Sequence, residues 1–157
     1  MIMRINDKKS NDFNLFIDAF VNPFPDRLED RVEIQGRNGT TLIDVIYKDR
    51  EIEIKCYLKG EDIREDIRKL GAFFRQDNLK NLITFNRDEK IFYIGTFKEV
   101  KDIEQRTKKG VEFSVVFTCD PEVYLITNNA INLENIKSVD DLDKLNENDY
   151  IKSVNPY

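Results

Sequence analysis

Between Val111 and Cys119 every second side chain is apolar, and the same alternation returns along the chain wherever turn residues do not interrupt it. A period of two places successive side chains on opposite faces of an extended strand, whereas a helix needs a period near 3.6, so this pattern directs the chain towards half-buried β-strands. Phe13, Leu15, Ile17, Ala19 and Val21 share one face of the first predicted strand, with Phe16 and Phe20 on the other. Asn22-Pro23-Phe24-Pro25-Asp26 ends it, because proline lacks an amide donor and restricts the residue before it. Arg31 to Gln35 and Leu42 to Tyr47 alternate on either side of Gly36-Arg37-Asn38-Gly39, whose Asn-Gly step predicts a tight hairpin. Ile52, Ile54, Cys56 and Leu58 then face inward, with Glu51, Glu53, Lys55 and Tyr57 outward.

After Gly60 the period changes. Ile63, Ile67, Leu70 and Phe74 fall at i, i+4, i+7 and i+11, the stripe of one amphipathic helix. Leu82 to Phe85 and Ile91 to Val100 form another predicted hairpin across Asn86 to Lys90, and Glu104 to Gly110 is a charged connection before the Val111 strand. Asp120-Pro121 stops the sheet. Beyond Thr127 the chain is rich in Asn, Asp and Lys, with a weak helical pattern at Val139, Leu142 and Leu145 behind Ser138. The expectation is a mainly β fold: an antiparallel β-sandwich with long hairpins over residues 1–126, a single amphipathic helix, and a disordered or loosely packed polar extension over 127–157.

Composition narrows the chemistry. The chain has 157 residues and no histidine, which excludes Ser-His and Cys-His nucleophilic pairs and histidine-ligated metals within one chain. Its 25 Lys+Arg against 30 Asp+Glu give a net charge of −5, unsuited to gripping phosphate without regard to sequence. Cys56 and Cys119 each sit in an apolar alternation, as buried reduced thiols do, which fits synthesis in a reducing cytoplasm. The polar N-terminus carries no apolar signal segment, and no run is long enough to span a membrane.

Several residues invite a catalytic reading. Asp44 with Glu53-Ile54-Lys55 resembles the core of PD-(D/E)xK nucleases, in which two carboxylates hold Mg²⁺ and a lysine polarises the attacking water. Against this, Glu51, Glu53 and Lys55 are what the wet face of any half-buried strand would carry. Glu29-Asp30 and Asp140-Asp141 are paired acids on paper, but glycosidases need two acids facing across a cleft, and Trp 0 removes the favoured stacking residue. Arg106, Lys108 and Lys109 form a basic run that a hairpin tip would simply expose to water. Phe73, Phe74, Phe92, Tyr93, Phe97, Phe113 and Phe117 read as core rather than as a ligand box, given their strand and helix spacing. No catalytic residue, metal site or cofactor is expected, and the exposed sheet edges of such a fold favour pairing with further copies.

The order of features resembles a known family. The aromatic first strand and Pro loop lead into Glu33-Ile34-Gln35-Gly36-Arg37-Asn38-Gly39; later come Cys56-Tyr57-Leu58, the helix with Arg64, Ile67 and Leu70, and Gly110 to Pro121 with Tyr124 beyond. Together, over about residues 10 to 125, these resemble the N-terminal domain of siphophage distal tail proteins, the Dit or phage tail component family. The resemblance implies a virion structural protein, made in the bacterial host cytoplasm, that forms a homo-oligomeric ring, a hexamer in the family. It also implies partners in the tail tube protein and in tail-tip, tail-associated lysin or baseplate proteins near the receptor-binding apparatus, with DNA passing through the lumen unbound and no membrane contact. Gly36, Arg37, Asn38, Gly39 and Pro121 would serve as turn positions. Many members add a carbohydrate-binding-like C-terminal domain, for which residues 125–157 are too few, so direct sugar binding is not expected of this polypeptide. The alternatives from other classes are the Mg²⁺-dependent nuclease at Asp44, Glu53 and Lys55 and a small carbohydrate-binding or adhesion β-sandwich.

Overall fold

Strand alternation is realised in about half of the chain. The computed structural model describes residues 1–157 except 22–24, 77–78 and 108, with the backbone alone for 106 and 107, so the Asn22-Pro23-Phe24 break and Lys108 lie outside the described residues. In chain order the strands are β1 (Met3–Ile5), β2 (Lys8–Lys9), β3 (Leu15–Val21), β4 (Arg27–Glu33), β5 (Thr40–Tyr47), β6 (Arg50–Lys59), β7 (Asn81–Phe85), β8 (Ile91–Thr107), β9 (Gly110–Cys119), β10 (Val123–Ile126) and β11 (Tyr150–Ser153). The helices are α1 (Ile63–Phe74) and the short α2 (Val139–Asp143). One antiparallel sheet runs β2-β1-β7-β8-β9-β6-β3, with β10 joined to β8 and β11 to β10, while β4 and β5 form a ribbon that pairs only with itself.

The register explains the core. Ile52, Ile54, Cys56 and Leu58 of β6 lie opposite Phe117, Val115, Phe113 and Val111 of β9, so eight inward side chains meet in four cross-strand pairs. Leu15 and Ile17 of β3 extend these rows, and Met3, Ile5, Ile83 and Phe85 from β1 and β7 share the same core. Close approach is required at one point: a Cβ on Gly95 of β8 would stand 2.4 Å from the Cys119 Sγ and 2.7 Å from the Thr118 carbonyl oxygen, so only glycine lets β8 and β9 meet there. The mainly β class with its amphipathic helix is therefore the observed one.

α1 begins where Asp62 accepts a hydrogen bond from the Glu65 amide at 3.3 Å, and Glu65 and Asp66 in the first turn complement the helix dipole. It buries Ile63, Leu70, Phe73 and Phe74 on the sheet. Ile67, expected in the same stripe, is instead 47% exposed, because it stands at the rim of an open groove between α1 and the distal half of β8. Phe73 is fully buried, with its ring 5.2 Å from that of Phe13 and 4.8 Å from that of Phe74.

The expected loose tail is corrected by the structure. Ile136 and Leu142 are buried in a second core with Leu82, Phe92, Ile94, Tyr124 and Ile126, and β11 pairs with β10. Polar anchors hold this segment: Arg4 donates to the Ile136 carbonyl at 2.7 Å, and Arg50, itself buried, donates to the carbonyls of Pro121 and Val154 at 3.0 and 2.9 Å. Its apolar residues are spaced by 3₁₀ turns and a five-residue helix, which follow neither a period of two nor one of 3.6 over a useful length. Ser138 does cap α2, accepting from the Asp141 amide at 3.3 Å.

Candidate assembly surfaces

The residues on which catalysis would depend are not brought together. Asp44 stands on the β4–β5 ribbon, whereas Glu53 and Lys55 stand on β6, whose neighbours are β3 and β9, so the adjacent-strand geometry assumed for a nuclease does not exist. Glu53 pairs with Lys101 at 3.3 Å, and Lys55 lies opposite Asp18 and Ser114. No group of three or more metal-ligating side chains occurs among the described residues. Glu29 is clamped between Arg27 and Arg31, each at 2.6 Å, and the hydrogen bond from Arg31 holds its carboxyl below the usual carboxylate range. Asp141 accepts from the Lys137 amide at 3.0 Å as a local cap. Lys109 pairs with Glu61 at 3.1 Å. Phe73, Phe92 and Phe117 are fully buried, which makes them core.

Glu33 pairs with Thr40, so the connection spans Ile34 to Gly39, with the Arg37 amide donating to the Ile34 carbonyl at 3.2 Å. Positive φ falls on Gly36 (+85°) and Gly39 (+77°) and not on Asn38. The Asn-Gly step is therefore not the two-residue type I′ turn, which needs positive φ at both positions, and a longer loop replaces the tight hairpin. Pro121 follows β9, where the Asp120 amide donates to Ile94.

Both thiols are buried and free, and burial pushes each up to about 12 from an ordinary 9.0. Burial does the same to Tyr93, from 10.0 to about 12. In the unfolded chain these groups lose their protons first, so stability is fully present below about pH 9 and falls as pH rises towards 12. The native protein should resist a thiol reagent at pH 8 and react at both cysteines once unfolded, and its melting temperature should drop progressively from pH 9 to 11. Rapid labelling of the native state would contradict this burial.

What remains exposed is a surface with order. On the outer face of the sheet, aligned rows read Glu104, Glu112, Tyr57, Phe16; then Lys101, Ser114, Lys55, Asp18; then Glu99, Val116, Glu53, Phe20. Glu51 adds another acid and is tied to Lys98 at 2.6 Å. Asp18, Glu51, Glu53, Glu99, Glu104 and Glu112 thus outnumber Lys55, Lys59, Lys98 and Lys101 on this face, an acidic excess.

Both flanks of this face are open. Among the described residues β3 pairs only with β6, and Phe16 and Phe20 beside its free edge are 65% and 72% exposed. On the far side β7 reaches only to Gly95, so from Thr96 onward β8 pairs with β9 alone. That edge carries lysines and three register shifts, devices that hinder indiscriminate pairing; β3 has neither. The β4–β5 ribbon is exposed along its length except at Val45, and its apolar side chains include Leu28 (54%) and Ile46 (60%), directly opposite each other. A two-stranded ribbon with an uncovered apolar face is marginal in water unless something packs on it.

A comparison with curated proteins finds no match. Among solved structures the chain is similar to the Dit protein of phage SPP1, described as a paradigm of the hub adsorption apparatus in phages infecting Gram-positive bacteria, with a TM-score of 0.65 and 18% identity. The match covers 79% of this chain and 51% of that protein, so this chain spans about half its length. The family model described as the phage tail protein RIFT-related domain matches residues 8–119, most of the chain, from β2 through β9. This chain belongs to the siphophage tail family of phage tail protein RIFT-related domains, structural tail components rather than enzymes, and it has the fold of a distal tail protein.

Proposed function

We propose that this protein is the ring-forming hub at the end of a siphophage tail, joining the tail tube to the tip and its receptor-binding apparatus. The observation that carries this reading is the pair of open edges, β3 and distal β8, on opposite sides of one sheet. Different surfaces at the two flanks make a head-to-tail contact, and such contacts repeated about one axis close into a ring. Six copies is the stoichiometry expected from the family. Residues 1–126 form the ring module in this reading, with 127–157 packed onto it. The outer sheet face then turns to the lumen, where its acidic excess repels phosphate and lets DNA pass without sticking. Mixing the protein with assembled tubes of its tail tube protein should cap one end of each tube with a ring visible by negative-stain imaging. Bare tube ends at saturating protein would contradict the hub assignment.

A further inference from the structure

We propose that the β4–β5 ribbon of one copy seats its apolar face in the groove between α1 and β8 of the neighbouring copy. The contact rests on the ring reading above and adds a second pair of surfaces to the β3 and β8 edges. On the ribbon, Leu28 faces Ile46 and, one step along the same side, Asp30 faces Asp44. Two carboxylates directly opposite each other on a ribbon destabilise it, and neither has a cationic partner within ion-pair distance among the described residues. The ribbon face therefore presents an apolar pair beside an acidic pair that lacks a counter-charge. Its base is fixed by the Lys48 amide donating to the Asp26 carbonyl at 2.7 Å, and its seven residue pairs project roughly 23 Å at the usual rise per residue.

The groove is the complement. Its cavity is about 270 Å³ and its floor is Leu70, Phe74, Val111 and Phe113, with Ile67 (47% exposed), Val100 (41%) and Ile103 (71%) rising from it. These apolar side chains are on the rim of an otherwise well-filled core, where nothing within the described chain covers them. Arg75 stands at the same groove, its guanidinium 5.8 Å from the Phe97 ring centre, with no carboxylate in ion-pair range among the described residues. An apolar surface with a cation thus matches an apolar surface with two acids. Because the ribbon pairs with no other element of its own chain, the occupant is a second copy, and the contact is of the heterologous kind that a ring requires.

Two cysteine variants test the contact, since the native thiols are buried. Ile46→Cys and Ile67→Cys, prepared separately, mixed at ring-forming concentration in the presence of tail tubes and oxidised, should give a disulfide-linked dimer that neither variant forms alone. Asp30→Lys with Asp44→Lys, placed in the Ile46→Cys chain, should reduce that product at least tenfold, and adding Arg75→Glu to its partner should restore a substantial part. Gly71→Leu guards against misfolding as an explanation. A Cβ at Gly71 meets nothing within 4 Å, the position lines the groove, and leucine is a far better helix former than glycine. This variant should melt at the same or a higher temperature yet lose the cross-link. Rings that form without the cross-link, or a cross-link that survives Gly71→Leu, overturn the contact while leaving the ring intact. Failure to form any oligomer, even with tubes present, overturns the ring and the contact together.

Discussion

Phe73→Ala is expected to lower the unfolding free energy by about 3–5 kcal/mol, the range for truncating a fully buried phenylalanine. The loss is large because Phe73 joins three parts of the fold. Its ring touches Phe13 before β3 and Phe74 beside it, and Phe74 in turn lies 6.3 Å from Phe113 and 6.2 Å from Phe117 on β9. Truncation removes the apolar contact and leaves a cavity under α1 that a helix pinned by its Asp62 cap and by buried Ile63, Leu70 and Phe74 cannot collapse to fill. For a chain of this length the melting temperature should fall by roughly 6–20 °C. A drop of only a degree or two in thermal unfolding of the dilute protein would mean that α1 contributes little to the core.

Phe16→Asp combined with Phe20→Asp should have the opposite profile, with the fold kept and the assembly lost. The two rings are mostly exposed on one copy, so the folded monomer gives up little by losing them, and surface changes of this kind usually cost within about 0.5 kcal/mol each. In a ring they lie beside an edge that must approach its neighbour. Burying both there would contribute about 1.5–3 kcal/mol each, and introduced carboxylates would add repulsion against the acidic rows of the same face. Self-association should weaken by at least a hundredfold in sedimentation equilibrium while the circular dichroism spectrum and melting temperature stay close to those of the parent. Unchanged association would remove β3 from the interface.

How much of this was legible in the sequence depended on periodicity. Ile52 to Leu58 and Val111 to Cys119 alternate without interruption, and they became the neighbouring strands β6 and β9 with every inward residue where the alternation placed it. Phe16 and Phe20 were assigned to the outer face and stand there. The segment from Ile131 to Tyr150 failed for the converse reason: its apolar residues are fixed by distant contacts to Leu82 and Phe92 and by the reach of Arg4, none of which leaves a local repeat. Ile67 kept its helical phase, yet phase does not reveal whether a sheet lies beneath. Asp44 and Glu53 looked adjacent because their strands are consecutive, but β6 turns away to pair with β3 and β9 and leaves the ribbon alone.

Native mass spectrometry of the concentrated protein, alone and with tail tubes, tests the ring most directly. One closed species is expected at a fixed multiple of the 18.6 kDa chain, six copies by the family's stoichiometry, which neither grows with concentration nor leaves a ladder of open intermediates. A particle that stays monomeric under both conditions, or a series that lengthens without closing, would contradict it.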